Sequence, residues 1–248
     1  MTRPALATRT AGHNGVDAAH PLVVLLHGFA ASGSADYEAT GWPRSLAAAG
    51  RRTLVVDLPG HGGSPAIETA AAGTTTTVVT AILAAIEAAE PAGPVDVIGY
   101  SLGARLAWEL PAASAGRVRR LVLGGLSPFE PFTAVDIPAL RAALAGGDTP
   151  ADPLTGLMTG MLRTPGLDSA SLANLMEGLG SEPFTPAANP PAVPTLLVAG
   201  ADDRMTEGID ALAADLPLVE LLRVPGDHRG TLDSAGFRAA ALAFLARP

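Results

Sequence analysis

Residues 95–105, Val95-Asp96-Val97-Ile98-Gly99-Tyr100-Ser101-Leu102-Gly103-Ala104-Arg105, join a β-rich apolar run to a helical pattern through Gly-x-Ser-x-Gly. After the serine, Leu102, Leu106, Ala107 and Leu110 recur at the spacing of a helix that lays one face on a sheet. A strand and a helix that fold back within one corner approach closely. Gly99 and Gly103, two residues either side of Ser101, remove the Cβ atoms that would collide there. Such a corner is a nucleophile elbow, which pushes a serine hydroxyl into the open. With 28 glycines in the chain, the bare five-residue pattern also fits chance, with Ser101 an ordinary helix N-cap. The flanking strand and helix favour the elbow.

Elsewhere, short apolar runs alternate with helical patterns, the signature of an α/β fold with a mostly parallel central sheet and helices on both faces. The runs predict strands over Leu22–Leu26, Arg52–Asp57, Val95–Gly99, Val118–Leu123, Thr195–Ala199 and Val219–Val224. Residues Thr75–Ala89 carry Val78, Val79, Ile82, Leu83 and Ile86 on one face and stop before Pro91 and Gly93, as an amphipathic helix does. A closing helix is expected over Asp233–Ala246. An antiparallel edge is expected from Ala5–Arg9 with the segment before His20.

A serine hydroxyl at its ordinary pKa is a poor nucleophile, so an elbow with chemistry needs a histidine base and an acid to orient it. Five histidines are present. His13 and His20 lie in a stretch rich in Gly, Asn and Asp with the character of an exposed hairpin. His27 and His61 sit in His-Gly and Gly-His-Gly turns, where they hold loops by hydrogen bonds. His228 lies in a loop, Pro225–Gly230, between a strand run and the closing helix, and is the expected base. For the acid, the run Thr195–Gly200 opens directly into Ala201-Asp202-Asp203-Arg204. Successive residues point in different directions, so one of the two carboxylates meets His228 while its neighbour caps the following turn or pairs with Arg204. The run after the preceding strand, Gly124-Gly125-Leu126-Ser127, offers no carboxylate before Glu130, and Asp227 adjoins His228 too closely in sequence to orient it.

The order serine, acid, histidine, each at the carboxyl end of a strand, resembles that of α/β-hydrolases. Three further runs carry the resemblance along nearly the whole chain. Leu22-Val23-Val24-Leu25-Leu26-His27-Gly28-Phe29 is similar to the family's strand and oxyanion loop, and Asp57-Leu58-Pro59-Gly60-His61-Gly62-Gly63-Ser64 to its D-x-x-G-x-G-x-S turn. Gly200-Ala201-Asp202-Asp203 is similar to its acid loop, in which the acid falls three residues beyond the glycine. The resemblance implies a triad of Ser101, Asp203 and His228. It also implies an oxyanion hole from the backbone N–H of Phe29 and of Leu102, the latter at a helix N-terminus where such donors suit developing negative charge. No cofactor and no metal are implied.

Between Ser127 and Pro194 the pattern changes to short amphipathic pieces broken by Pro, Gly and Ala. The expected organisation is therefore a core of residues 1–127 and 194–248 with a helical cap inserted at 128–193, over the elbow. Its Phe129, Phe132, Leu157, Met158, Met161, Leu162, Leu175, Met176 and Phe184 mostly pack cap to core. Tyr100, Phe129, Met158 and Met161 are the expected substrate contacts, in an apolar or mixed acyl pocket.

The expected activity is hydrolysis of carboxylic esters of small or medium apolar acyl groups. The elbow also resembles that of the menaquinone-pathway synthase MenH, a lyase in which an arginine four residues after the serine helps bind an anionic substrate. Arg105 stands in that place, although the cap holds only scattered arginines, Arg141 and Arg163. A C–C bond hydrolase, a lactonase and a non-catalytic receptor on the same fold are further readings. At 248 residues and 48% hydrophobic content the chain suffices for one large core. A net charge of −8 without a basic block argues against nucleic acid or an anionic membrane as main partner, leaving a small-molecule substrate. There is no cysteine, hence no thiol nucleophile, disulfide or cysteine-ligated zinc. No run is long and apolar enough for a secretory leader or membrane span, so a soluble, cytoplasmic enzyme is expected.

Overall fold

The computed structural model describes residues 5–12 and 20–247. The strands among them are β1 (Thr8–Ala11), β2 (Leu22–Leu26), β3 (Thr53–Val56), β4 (Val95–Tyr100), β5 (Val118–Gly124), β6 (Thr195–Gly200) and β7 (Val219–Val224). They form one sheet in the order β1-β3-β2-β4-β5-β6-β7. Every neighbouring pair is parallel except β1 with β3. The helices are α1 (Trp42–Ala48), α2 (Thr75–Ala89), α3 (Leu102–Ala113), α4 (Ile137–Leu144), α5 (Pro153–Leu162), α6 (Ser169–Ser181), α7 (Ile209–Ala214), α8 (His228–Asp233) and α9 (Ala235–Leu245). No helix among the described residues is long and apolar enough to cross a membrane.

Strand β2 shows why the sheet is covered on both faces. All five of its residues are buried, and side chains alternate across a strand. Leu22, Val24 and Leu26 join the apolar cluster that takes in Val78, Ile82 and Ile86 of α2 and Leu106 and Leu110 of α3. Val23 and Leu25 point the other way, into a cluster with Trp42 and Leu46 of α1 and Phe237 and Phe244 of α9. Helices α4 to α6 occupy the stretch between β5 and β6. Their Leu140, Met158, Leu162, Leu172, Met176 and Leu179 share the first cluster with α2 and α3.

The strand order also sets where a ligand fits. From β2 the chain passes to β3 on one side, and the next strand, β4, lies on the other, so connections on either side of β2 diverge and leave a crevice at the carboxyl ends. Leu26 pairs with Gly99 in the β2–β4 register, which brings the loop starting at His27 and the turn at Ser101 out of the sheet side by side.

The structure departs from the sequence expectations at the first strand and in the segment that carries His228. The edge strand is Thr8–Ala11 rather than Ala5–Arg9, and it pairs with β3, Thr8 opposite Val56. The expected partner segment before His20, and His13 with it, fall outside the described residues. The closing helix is α9, Ala235–Leu245, within the expected Asp233–Ala246, and the short α8 precedes it where a loop was expected. Asp227 accepts a hydrogen bond from Gly230 N–H at 2.7 Å and starts α8, so His228 opens a short helix instead of lying in a loop, and Ser234 caps α9 through Phe237 N–H.

Candidate active site

The elbow is sterically obligatory. A Cβ on Gly103 would sit 2.0 Å from the Leu26 carbonyl oxygen, and one on Gly99 would sit 2.4 Å from the Gly103 carbonyl oxygen. Both are far inside contact distance, so only glycine lets α3 start this close to β2 and β4. Ser101 between them has φ 52° and ψ −113°, a conformation that costs a non-glycine residue about 1–3 kcal/mol and recurs at functional positions. Ser101 occupies the N-cap position of α3, yet its side chain makes no capping hydrogen bond. Its Oγ lies 3.0 Å from Nε2 of His228 instead.

On the other side of the imidazole, Nδ1 lies 2.8 Å from Oδ2 of Asp203. A carboxylate oxygen accepts, so Nδ1 carries the proton and Nε2 presents its lone pair to the Ser101 hydroxyl. Asp203 is buried, and its second oxygen, Oδ1, accepts from Met205 N–H at 2.9 Å. The same residue therefore caps the turn after β6 and meets His228, correcting the expected division of these tasks between Asp203 and its neighbour. Asp202 is exposed. The His228 backbone is held as well, since the buried Tyr100 hydroxyl donates to its carbonyl oxygen.

The loop after β2 exposes one donor by occupying its neighbours. Gly28 N–H goes to Asp36 Oδ2 at 2.9 Å, and Ala30 N–H to His61 Nε2 at 3.0 Å. Between them Phe29 N–H has no acceptor among the described residues, while its ring packs on Phe132 with centroids 5.2 Å apart. Leu102 N–H is free by position, because the first four N–H groups of a helix lack intrahelical partners. A Cβ on Gly28 would lie 3.6 Å from the Ser101 Cβ, so this loop borders the Ser101 side chain.

His27 and His61 are braces. Nε2 of His27 accepts from Leu58 N–H at 2.9 Å, and its Nδ1 meets the Gly28 carbonyl at 2.7 Å. His61 accepts from Ala30 N–H while its Nδ1 meets the Pro59 carbonyl at 2.9 Å. Burial pushes their pKa values down, to about 4 for His27 and about 3 for His61, where the neighbouring His27 adds to the effect. The unfolded chain takes up these protons near pH 6.5 and the folded chain does not, so stability is full above pH 6.5 and drains as the pH falls toward 4. Urea unfolding at pH 7.5 and pH 5.0 is expected to differ by on the order of 3–4 kcal/mol, and His61→Gln should remove about half of the difference. Equal stability at the two pH values would contradict the burial of two neutral imidazoles.

A cavity of about 350 Å³ opens over Ser101. Phe29, Tyr100, Leu102, Phe129, Met158, Met161 and His228 all line it, together with Phe132, Leu157, Met205 and Gly28. Asp203 lies outside the cavity, behind the imidazole. The Tyr100 hydroxyl is spent on the His228 carbonyl, so this residue presents its ring alone to the cavity. Phe184, Leu162, Leu175 and Met176 are packed in the core and do not reach the cavity.

The charges along the wall are paired. Arg105 is buried and donates through Nε to Glu130 Oε2 at 2.6 Å and through Nη2 to the Glu182 carbonyl at 3.0 Å. Asp36 pairs with Arg229. Arg141 bonds Asn174 and Glu177, Arg163 bonds Thr149 and two carbonyls, and neither lines the cavity. Among the described residues no group of three or more His, Asp or Glu side chains is placed to hold a metal ion. Sequence reasoning missed Asp36, Glu130 and Arg229, whose partners lie 8 to 193 positions away with no local motif to mark them.

A family model described as the alpha/beta hydrolase fold matches residues 21–164. The chain is similar in structure to a hydrolase from Pseudomonas aeruginosa PA01, with a TM-score of 0.73 and 23% identity over 98% of this chain and 94% of that one. It is similar to the enol-lactonase from Burkholderia xenovorans LB400, at 0.71 and 20% over 98% and 96%. It is also similar to MenH from S. aureus, at 0.76 and 18% over 96% and 97%. At these identities the likeness is one of fold. No curated protein matches the sequence.

Proposed function

The chain belongs to the alpha/beta hydrolase fold family, and from that premise we propose that it is a serine hydrolase cleaving carboxylic esters of small and medium apolar acyl groups. The observation that carries the proposal is the unbroken chain from Ser101 Oγ through His228 to Asp203, at 3.0 and 2.8 Å. In the mechanism, His228 Nε2 takes the hydroxyl proton as Oγ attacks the ester carbonyl. Phe29 and Leu102 N–H receive the oxyanion, where fixed donors outperform water because they need no reorganisation. Asp203 holds the tautomer and stabilises the imidazolium, which then protonates the departing alcohol. The resulting acyl-enzyme is hydrolysed by the same steps, with water in place of the alcohol.

The apolar acyl group is argued from the wall. Phe29, Phe129, Phe132, Leu157, Met158 and Met161 surround the cavity, and its charged members are already paired with one another. The same pairing weighs against the MenH-type reading. The buried Glu130 already neutralises Arg105, which leaves only Nη1 of the guanidinium without a hydrogen-bond partner. The proposal is tested by steady-state turnover of p-nitrophenyl acetate, butyrate and hexanoate beside a lactone and a thioester. Multiple turnovers are expected, with kcat/KM rising up to about 4-fold for each methylene buried. A flat series would remove the apolar acyl pocket. A single turnover per chain would favour the receptor reading.

A further inference from the structure

Asp36 is buried on a π-helical turn, Ser34–Glu38, and faces the cavity although the triad makes no use of it. Both of its carboxylate oxygens are engaged. Oδ2 accepts from Gly28 N–H at 2.9 Å, and Oδ1 accepts from Nη1 of Arg229 at 2.5 Å. Gly28 immediately precedes Phe29, the proposed oxyanion donor, and Arg229 immediately follows His228. One carboxylate thus joins the oxyanion loop to the turn that carries the base, across 193 positions of sequence. The three parts are close, since a Cβ on Gly28 would lie 3.4 Å from Asp36 Oδ2 and 3.6 Å from the Ser101 Cβ.

The charge has a consequence of its own. A buried anion beside the point where an oxyanion develops opposes the reaction, and in a low-dielectric wall that opposition is strong. Arg229 cancels it. Its side chain is 56% exposed while that of Asp36 is 2% exposed, so the pair is an inward carboxylate covered by an outward cation. Asp233 Oδ2 stands 3.8 Å from Arg229 Nε on the same helix and braces the guanidinium.

We propose that Asp36 and Arg229 are a positioning pair for the hydrolytic reaction: they set the spacing between the Phe29 N–H and His228, and Arg229 screens the oxyanion from the Asp36 charge. The proposal rests on the serine hydrolase reading above. It requires an order of effects that packing alone would not produce. Removing Arg229 bares the anion, and removing Asp36 as well takes the anion away.

The test is kcat and KM for p-nitrophenyl butyrate in wild type, Arg229→Gln, Arg229→Lys, Asp36→Asn and the Asp36→Asn/Arg229→Gln double variant, with Ser101→Ala as blank. Active sites are counted by fluorophosphonate titration, and urea midpoints are measured alongside. Arg229→Gln is expected to lower kcat per titrated active site about 10- to 100-fold, the range of a misplaced catalytic group, with KM within about 2-fold, and to lower the urea midpoint as well, because the buried Asp36 loses its partner. Arg229→Lys should recover most of the loss, and the double variant should exceed Arg229→Gln alone in kcat. Wild-type turnover with Arg229→Gln equal to it, or a double variant no better than Arg229→Gln, would overturn the pairing while leaving the hydrolase reading intact. Wild type no faster than Ser101→Ala would overturn both.

Discussion

Ser101→Ala is expected to lower kcat for p-nitrophenyl butyrate by about 10⁶-fold, the cost of removing the nucleophile from a unit whose parts act together. The fold should survive the change. Ser101 Oγ makes its one hydrogen bond to His228, whose side chain is 35% exposed, so water can replace the lost partner and no buried group is orphaned. Alanine also inherits the φ of 52° with the same strain that serine already carries. Urea unfolding of the variant should therefore match wild type within about 1 kcal/mol, a surface-like effect. Turnover within about 100-fold of wild type would reject Ser101 as the nucleophile.

Asp203→Asn is expected to cost about 10⁴-fold in kcat, and Asp202→Asn less than about 2-fold. The reason lies in the two oxygens of Asp203. Oδ1 is fixed by Met205 N–H, so an asparagine keeps its carbonyl there and turns its NH₂ toward His228. An NH₂ donates, which drives Nδ1 to become the acceptor and places the ring proton on Nε2, facing the Ser101 hydroxyl it should deprotonate. The capping bond is kept, so stability changes little while the tautomer is wrong. Asp202 has its side chain in solvent, and its backbone N–H bonds the Gly226 carbonyl in either variant. Measured kcat for the two variants settles the order, and the reverse ranking would move the orienting role to Asp202.

Those features that depend on neighbours in sequence were legible before any coordinates. Strand β2 announces itself by five consecutive apolar residues, α2 by its one-sided pattern ending at Pro91, and the elbow by glycines that two close backbone contacts demand. The short helix α8 was less legible because the cap at Asp227 precedes Gly230, a poor helix former, and the pattern looks like an extended loop. The double duty of Asp203 could not be read either, since a carboxylate has two oxygens and sequence does not say where each goes. Asp36 and Glu130 are invisible for a third reason: a buried charge is tolerable only beside its partner, and those partners come from elements assembled by the sheet, Arg229 after β7 and Arg105 on α3.

The claim on which the account stands is that Ser101 carries the acyl group between two half-reactions. Rapid acid quench of the protein during turnover of p-nitrophenyl butyrate, followed by intact-mass and peptide mass spectrometry, tests it directly. The account predicts a single butyryl adduct on the peptide containing Ser101, absent from Ser101→Ala and lost as substrate runs out. Sustained hydrolysis with no covalent adduct, or with the adduct on another residue, would contradict it.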